Sequence, residues 1–461
     1  MRKISSIALS LLLGSSLLAS DAAMQEQIDM LKKEIESLKK GQEKSDALVA
    51  NVQKSSAMDK VKFGIDFRNA YEMLDYQDNL NNTSAQNNSL LTSRFLLSMS
   101  ASPMKGLAFK GKLAVYSTWG SHLYVDDVPL KDWSANSKAD DTVMRIKEAY
   151  FVYKNKMGSQ PYVFSIGRRP SSTGFLANMR ENEEIEGSPL AHITNMEVNG
   201  AMLKLDWSRF IDGAYTKFVY GRAHTGDITN VYGTDSSSNF AWGPYASTES
   251  EDQDVDFFVL LGDAYNDKKH QIMYEWAHIF NTKGKNLATN ANAVDAGVAD
   301  LFALSYKING LSEDKSSFLG KSIAFASIAS TRYNAKSGYT LNGSSNGGTA
   351  NGHSFWAGVN IPDMITEKGK IGFEYNYGSK HWTPMTWAED TAIGSKIAVR
   401  GEAYEAYWNF DLFGVKYLPS QIRYTYAQHD YTPNVNCSGW LPVEEADLVA
   451  QNLRFFVSYR Y

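Results

Sequence analysis

The residues best suited to chemistry in this 461-residue chain are charged, and they form two groups of opposite sign. Glu181, Glu183, Glu184 and Glu186 follow Arg180 directly, in the segment MRENEEIEGSP. Arg68, Arg94, Lys110, Lys112, Arg145 and Lys147 come earlier, and Arg168 lies just ahead of the acidic run. Carboxylates held opposite guanidinium and ammonium groups orient water and polar solutes and set an ion preference. The same Glu run also fits a solvated loop face, with the basic residues merely keeping an interior wet. Arg168, Arg169 and Arg180 are close enough in sequence to pair with these carboxylates and pin their segment.

Nucleophilic and metal-binding patterns are weak. Gly343, Ser345 and Gly347 fit G-x-S-x-G, but they lie in a Gly/Asn/Ser loop, LNGSSNGGTANG. The strand–turn–helix context that exposes such a serine is missing. The eight histidines show no metal-ligand spacing. Asp252, Asp254 and Asp256 resemble a fragment of a calcium loop. The glycine and closing glutamate of such a loop are absent, which leaves at most a surface divalent ion. No phosphate-binding or dinucleotide glycine motif stands out. The expectation is a protein that is not an enzyme and needs no cofactor or metal. A net charge of −5 is too near neutral to argue for nucleic acid. The single cysteine, Cys437, has no intrachain partner for a disulfide.

The elements that must position these charges are β-strands. In 61–73, Phe63, Ile65, Phe67 and Tyr71 alternate with Lys62, Asp66, Arg68 and Glu72. In 106–119, Leu107, Phe109, Leu113 and Val115 oppose Lys110 and Lys112. The end of the chain repeats the pattern, with Leu453, Phe455, Val457, Tyr459 and Tyr461 against Arg454, Phe456, Ser458 and Arg460. Such alternation gives a strand one apolar and one polar face. Sixteen candidate strands run from 61–73 to 452–461, with long polar gaps alternating with short turns. Gap 74–90 (DNLNNTSAQNNS) is read as long, 103–105 as tight, 169–197 as long, and 309–319 as the longest of the short set. All eleven prolines fall in turns, loops or a first strand position, as the missing N–H donor requires. Strands 254–262 and 320–332 alternate poorly, and the pattern offers no reason.

Alternation with this loop asymmetry predicts an all-β fold: a closed up-and-down transmembrane barrel over 61–461. A mean hydropathy of −0.36 suits it, since only every second strand residue need be apolar. Lys or Arg facing lipid at mid-membrane costs ~2–4 kcal/mol, so the charged parity is expected to face a wet lumen. Both termini then fall on the short-turn side. Trp119, Tyr153, Trp207, Trp276 and Trp382, near strand ends, suit interface girdles.

The start of the chain differs in kind. Arg2 and Lys3, the apolar run to Leu18 and the small residues Ala19, Ser20 and Ala22 read as a signal peptide over 1–20. Met24, Ile28, Leu31, Ile35 and Leu38 step by 4, 3, 4 and 3, a short heptad seam within a periplasmic helical segment at 24–54. It reads as an oligomerising stalk or as a solvated linker helix.

With its terminal aromatic strand, the chain resembles the bacterial outer-membrane general porins of the sixteen-stranded type. With the leader, the helical segment and SIGRRP (Ser165 to Pro170), it also resembles an uncharacterised porin-like family of Gram-negative bacteria. The resemblance implies a passive diffusion channel for small hydrophilic solutes or ions in the outer membrane. It implies contact with lipid and lipopolysaccharide, and a homo-oligomer, typically a trimer. It also implies that loop 169–197 folds inward as a constriction, with its glutamates and Arg180 facing a basic wall that includes Arg68, Arg94, Lys110, Lys112, Arg145, Lys147 and Arg168. Two other readings stay open: a barrel that sheathes or anchors a partner, and an outer-membrane lipase.

Overall fold

The computed structural model describes residues 30, 32, 34, 36 and 39, and residues 61–119, 144–169, 174–183, 186–225, 254–366, 368–386, 389–433 and 443–461. The chain divides into two compact units, Met1–Val61 and Lys62–Tyr461. In the first, Met30, Lys32, Glu34, Glu36 and Lys39 are helical. The signal peptide and the heptad seam lie outside the described residues.

The second unit is a closed antiparallel barrel of sixteen long strands. They are β1 (Val61–Asp78), β2 (Thr83–Met104), β3 (Leu107–Thr118), β4 (Met144–Met157), β5 (Gln160–Arg169), β6 (Val198–Asp206), β7 (Tyr215–His224) and β8 (Val255–Asn266). Then follow β9 (His270–Asn286), β10 (Asn292–Asn309), β11 (Ile323–Ala335), β12 (Thr349–Pro362), β13 (Lys370–Gly378), β14 (Gly401–Asp411), β15 (Pro419–Tyr431) and β16 (Glu445–Arg460). Each strand pairs with its sequence neighbours. β16 returns to β1 in a register running from Asp66↔Arg460 to Asp78↔Leu448. Closure leaves no bare edge, the condition for a sheet surrounded by hydrocarbon.

The two faces of each strand are inverted relative to a water-soluble fold. On β16, Leu453, Phe455, Tyr459 and Tyr461 are exposed, whereas Asn452, Arg454 and Ser458 are buried to 1% or less. On β15, Ile422 and Tyr424 face out while Arg423 and Thr425 are buried. On β13 and β14, Phe373 and Tyr404 face out over buried Glu374 and Glu405. An apolar exterior of this extent matches hydrocarbon rather than water.

Three expectations need correction. The polar stretch 74–90 is not a loop: β1 and β2 run through it to a turn of four residues, 79–82. Beyond the apolar belt both faces of that hairpin meet water, so its strands are polar on both faces and show no alternation. Trp382 is no girdle residue; it is fully buried, and its indole N–H donates to the Ile397 carbonyl at 2.7 Å. Nor is the lumen wet throughout. The described parts of the loops after β5 and β13 (174–183, 186–197, 379–386 and 389–400) fold inward, and Phe175, Leu176, Leu190, Ile193, Trp382 and Ile397 form a dry core with inward residues of β8–β12. This explains the two strands that alternate poorly. Phe257, Val259 and Leu261 of β8, and Phe325 and Ala329 of β11, face inward onto that core. Both faces of these strands therefore meet apolar surroundings.

Candidate functional site: a charged throat beside a packed half-lumen

The third long loop enters the lumen through a short parallel ribbon, Gly174–Phe175 against Gly187–Leu190, and a single helical turn, α1 (Ala177–Arg180). Its apolar residues seat it on the β8–β12 wall. Polar contacts fix its position: the Leu190 N–H and the Thr194 hydroxyl both donate to the buried Glu275 carboxylate of β9, at 2.5 and 2.7 Å. His192 has Ser327 Oγ and Ser354 Oγ at 2.7 and 2.9 Å from its ring nitrogens, and it packs edge-on to Trp356 and Trp382. Burial pushes its pKa down to about 3, so it is neutral at ordinary pH.

The seventh long loop lies beside the third and bonds to it through backbone. Asn195 N–H donates to Met385 O at 2.6 Å, and Met385 N–H donates to Ile193 O at 2.8 Å. This brings Glu389 and Asp390 to the opposite, charged side of the lumen. Asp390 accepts from Arg68 and Arg94 at 2.7 and 2.6 Å. The chain of charges continues from Arg94 to Asp66 at 3.0 Å, to Arg460 at 3.2 Å and to Glu183 at 3.2 Å. A second branch joins Glu374, Lys396 and Glu405 at 2.5 and 2.7 Å, with Arg180 and Arg423 within 3.9 Å of Glu405. Buried charges persist only when paired in this way.

The acidic run of loop three does not stand free. Glu181 pairs with Arg180 at 2.9 Å and Arg423 at 3.3 Å, and Glu186 pairs with Lys307 at 2.5 Å. Glu183 pairs with Arg460 and is the most exposed of the three. Glu184 lies outside the described residues. Arg180 is buried at the end of α1 and also approaches Glu389 at 3.6 Å. On the far wall Lys112 pairs with Glu148, Lys147 with Glu197, and Arg168 with Glu197 at 3.3 Å. Arg145 lines the long-loop side of the lumen and has no ion partner among the described residues. Lys110 is exposed near the short-turn end and lines neither cavity of the lumen.

Two local irregularities set these side chains. On β4 the register slips by one residue, because Lys112 faces Glu148 while Leu113 faces Ile146. The extra residue is Lys147, and this bulge allows Lys147 and Glu148, adjacent in sequence, to line the same cavity. In SIGRRP, Gly167 sits at φ +129°, and a Cβ there would lie 2.3 Å from the Ala149 carbonyl oxygen. Only glycine fits. Strict alternation breaks there, and Arg168 and Arg169 both line the lumen.

The wet side of the lumen holds two cavities. One, of about 490 Å³, reaches the short-turn end at Gly64 and Tyr461. The other, of about 790 Å³, reaches the long-loop end at Thr92 and Thr118. Arg94, Tyr116, Lys147, Glu389 and Asp390 line both, so the cavities meet at a throat between the β2–β4 wall and loop seven. Burial opposes ionisation of Asp390, but Arg68, Arg94 and Arg454 outweigh it and hold the carboxyl well below the usual carboxylate range. For Glu181 burial is likewise outweighed, by Arg180 and Arg423, and its pKa falls to about 2. For Glu389 burial wins over Arg180 and Lys396 and pushes the carboxyl up.

Sequence reading missed Glu389, Asp390 and Glu197. The available signal was loop 379–400 itself, HWTPMTWAEDTAIGSKIAVR after its first two residues, which is too apolar for a solvated surface loop. Of the calcium-like run, Asp254 and Asp256 both pair with Arg222 on the outer rim, the latter at 2.8 Å, and Asp252 lies outside the described residues.

Residues 84–458 match the model of a family described as protein of unknown function, DUF3373. The chain belongs to the DUF3373 family. No curated protein matches it. Among solved structures, this DUF3373 barrel is similar to OprB of Pseudomonas putida at 10% identity and a TM-score of 0.48, covering 89% of this chain and 96% of that one. It is similar to an anion-selective porin from Comamonas acidovorans at 12% identity and a TM-score of 0.47, covering 87% and 100%. It is also similar to the trimer form of OmpT, an outer membrane protein of Vibrio cholerae, at 10% identity and a TM-score of 0.44, covering 87% and 100%. At these levels nothing about solute, selectivity or assembly passes to this chain.

Proposed function

We propose that this protein is an outer-membrane diffusion channel for small hydrophilic solutes or ions. The observation that carries the reading is the pair of cavities meeting at the charged throat of Arg94, Lys147, Glu389 and Asp390. An apolar exterior, a closed barrel and a charged, water-accessible half-lumen support it together. Solutes that pass would exchange hydration for contacts with fixed charges of both signs, which favours polar over apolar molecules. The throat lies where loop seven meets the wall, with loop three forming the packed half behind it. The dry half-lumen speaks for the competing reading, a barrel that anchors or sheathes a partner, in which no path crosses the membrane. Planar-bilayer recording of the purified protein separates the two. Discrete conductance steps with a reproducible reversal potential are expected; a barrel that inserts but stays electrically silent would end the channel reading.

A further inference from the structure

The cations that line both cavities are matched with carboxylates, but, besides Arg145, a group of three on the lumen wall is not. Lys204 of β6 and Lys217 of β7 stand directly opposite in register. Like charges so placed destabilise a sheet. Both ammonium groups lie over the same Tyr215 ring, at 3.7 and 5.0 Å from its centre. Arg169 of β5 folds back to the hydroxyl of Ser165, which pairs with Met202, one inward position from Lys204. Its guanidinium rests on Tyr150, 4.9 Å from the ring centre. None of the three has an ion pair among the described residues. The carboxylates within electrostatic reach make no ion pair with these groups, and Asp263 uses only one of its oxygens, the other being buried without a hydrogen-bond partner. Asp263 accepts from Asn266 and Gln271 at 2.9 and 3.2 Å, Glu275 holds loop three, Asp206 accepts from Ser208, and Glu148 pairs with Lys112.

We propose that Arg169 and Lys217, with Ser188, form an anion subsite that takes the carboxylate or phosphate group of a small solute, with Lys204 adding positive charge behind it across the Tyr215 ring. Lys217, Arg169 and Ser188 line the short-turn-side cavity, and Lys217 Nζ donates to Ser188 Oγ at 2.6 Å. The set presents an ammonium, a guanidinium and a hydroxyl, each able to donate to an oxyanion. A bound anion also relieves the opposed lysines, so affinity and stability are coupled. The subsite rests on the channel reading only for the route by which a solute arrives.

The test uses the full chain in detergent at fixed ionic strength, titrated separately with inorganic phosphate and with succinate. Saturable binding in calorimetry and a rise in unfolding temperature are expected with at least one of them. Which anion binds tells a phosphate preference from a carboxylate preference. Lys217→Gln is expected to weaken binding at least ten-fold and, with no anion present, to unfold at a higher temperature than the parent. Lys217→Arg is expected to keep binding. No saturable binding of either anion, undiminished binding by Lys217→Gln, or a Lys217→Gln chain that is less stable or does not fold would each overturn the subsite. Binding is read without conductance, so a silent barrel that binds keeps the subsite and loses the channel, and a conducting barrel that does not bind does the reverse.

Discussion

Asp390 joins two guanidiniums where the linings of the two cavities overlap, and its replacement is the sharpest residue-level test. Asp390→Asn leaves Arg68 and Arg94 without their common carboxylate. The expected result is a reversal potential shifted towards anions, measured under a salt gradient. No shift would place the throat elsewhere. Glu181 tests structure rather than selectivity. Glu181→Gln strips the shared acceptor from buried Arg180 and Arg423. Removing one partner of a buried pair costs about 3–5 kcal/mol, which would appear as a lower unfolding midpoint. The pH dependence follows from the same group. Its carboxyl has a pKa of about 2 in the folded chain against an ordinary 4.5. The stability it contributes is complete above pH 4.5 and is lost as pH falls towards 2. Asp390 acts in the same direction, while Glu389, with its pKa raised by burial, acts in the opposite one. Net acid destabilisation in this window is expected in a thermal-unfolding series, and a shallower loss in Glu181→Gln, with the part due to Asp390 remaining, would confirm the assignment. The individual basic residues Arg68, Arg94, Lys112 and Lys147 were legible from strand parity. Their partners were not, because pairing joins residues hundreds of positions apart.

At the scale of elements, the two inward loops behave as a second layer packed inside the barrel. Loop seven is pinned by Trp382, which is fully buried between His192, the Ile397 carbonyl and the β13–β14 region. Trp382→Ala should cost about 3–5 kcal/mol, as large buried aromatics do. If loop seven shapes the throat, the same variant should also raise single-channel conductance and its noise. Strand positions were readable because a period of two persists wherever one face meets apolar surroundings and the other meets charge. The pattern weakens where that contrast vanishes: it misreads 74–90 as a loop, whereas 254–262 and 320–332 still read as strands despite poor alternation. The β1–β2 hairpin is polar on both faces, and β8 and β11 are apolar on both, for opposite reasons. The acidic run drew attention to loop three, but loop seven carries the carboxylates that line both cavities.

At the scale of the whole molecule, the inversion of faces is the decisive property. Phe373 on the exterior of β13 is half exposed, whereas Ser98 lines the short-turn-side cavity. Phe373→Arg is expected to lower the free energy of folding into lipid vesicles by about 2–4 kcal/mol, depending on depth. Ser98→Arg, placed in the wet cavity, is expected to leave folding intact and to reduce conductance. Equal effects of the two would contradict the assignment of inside and outside. The sixteen strands, their order, the side of each loop and the charged inner parity were determined by the amino-acid sequence alone, because they depend on local alternation and on turn chemistry. Which half of the lumen is dry, which loop forms the throat and which charges are neutralised were decided only by the tertiary structure. Those outcomes depend on closure of the barrel, which brings Arg68 of β1, Arg454 of β16 and Asp390 of loop seven to one place, and no pattern along the chain encodes that meeting.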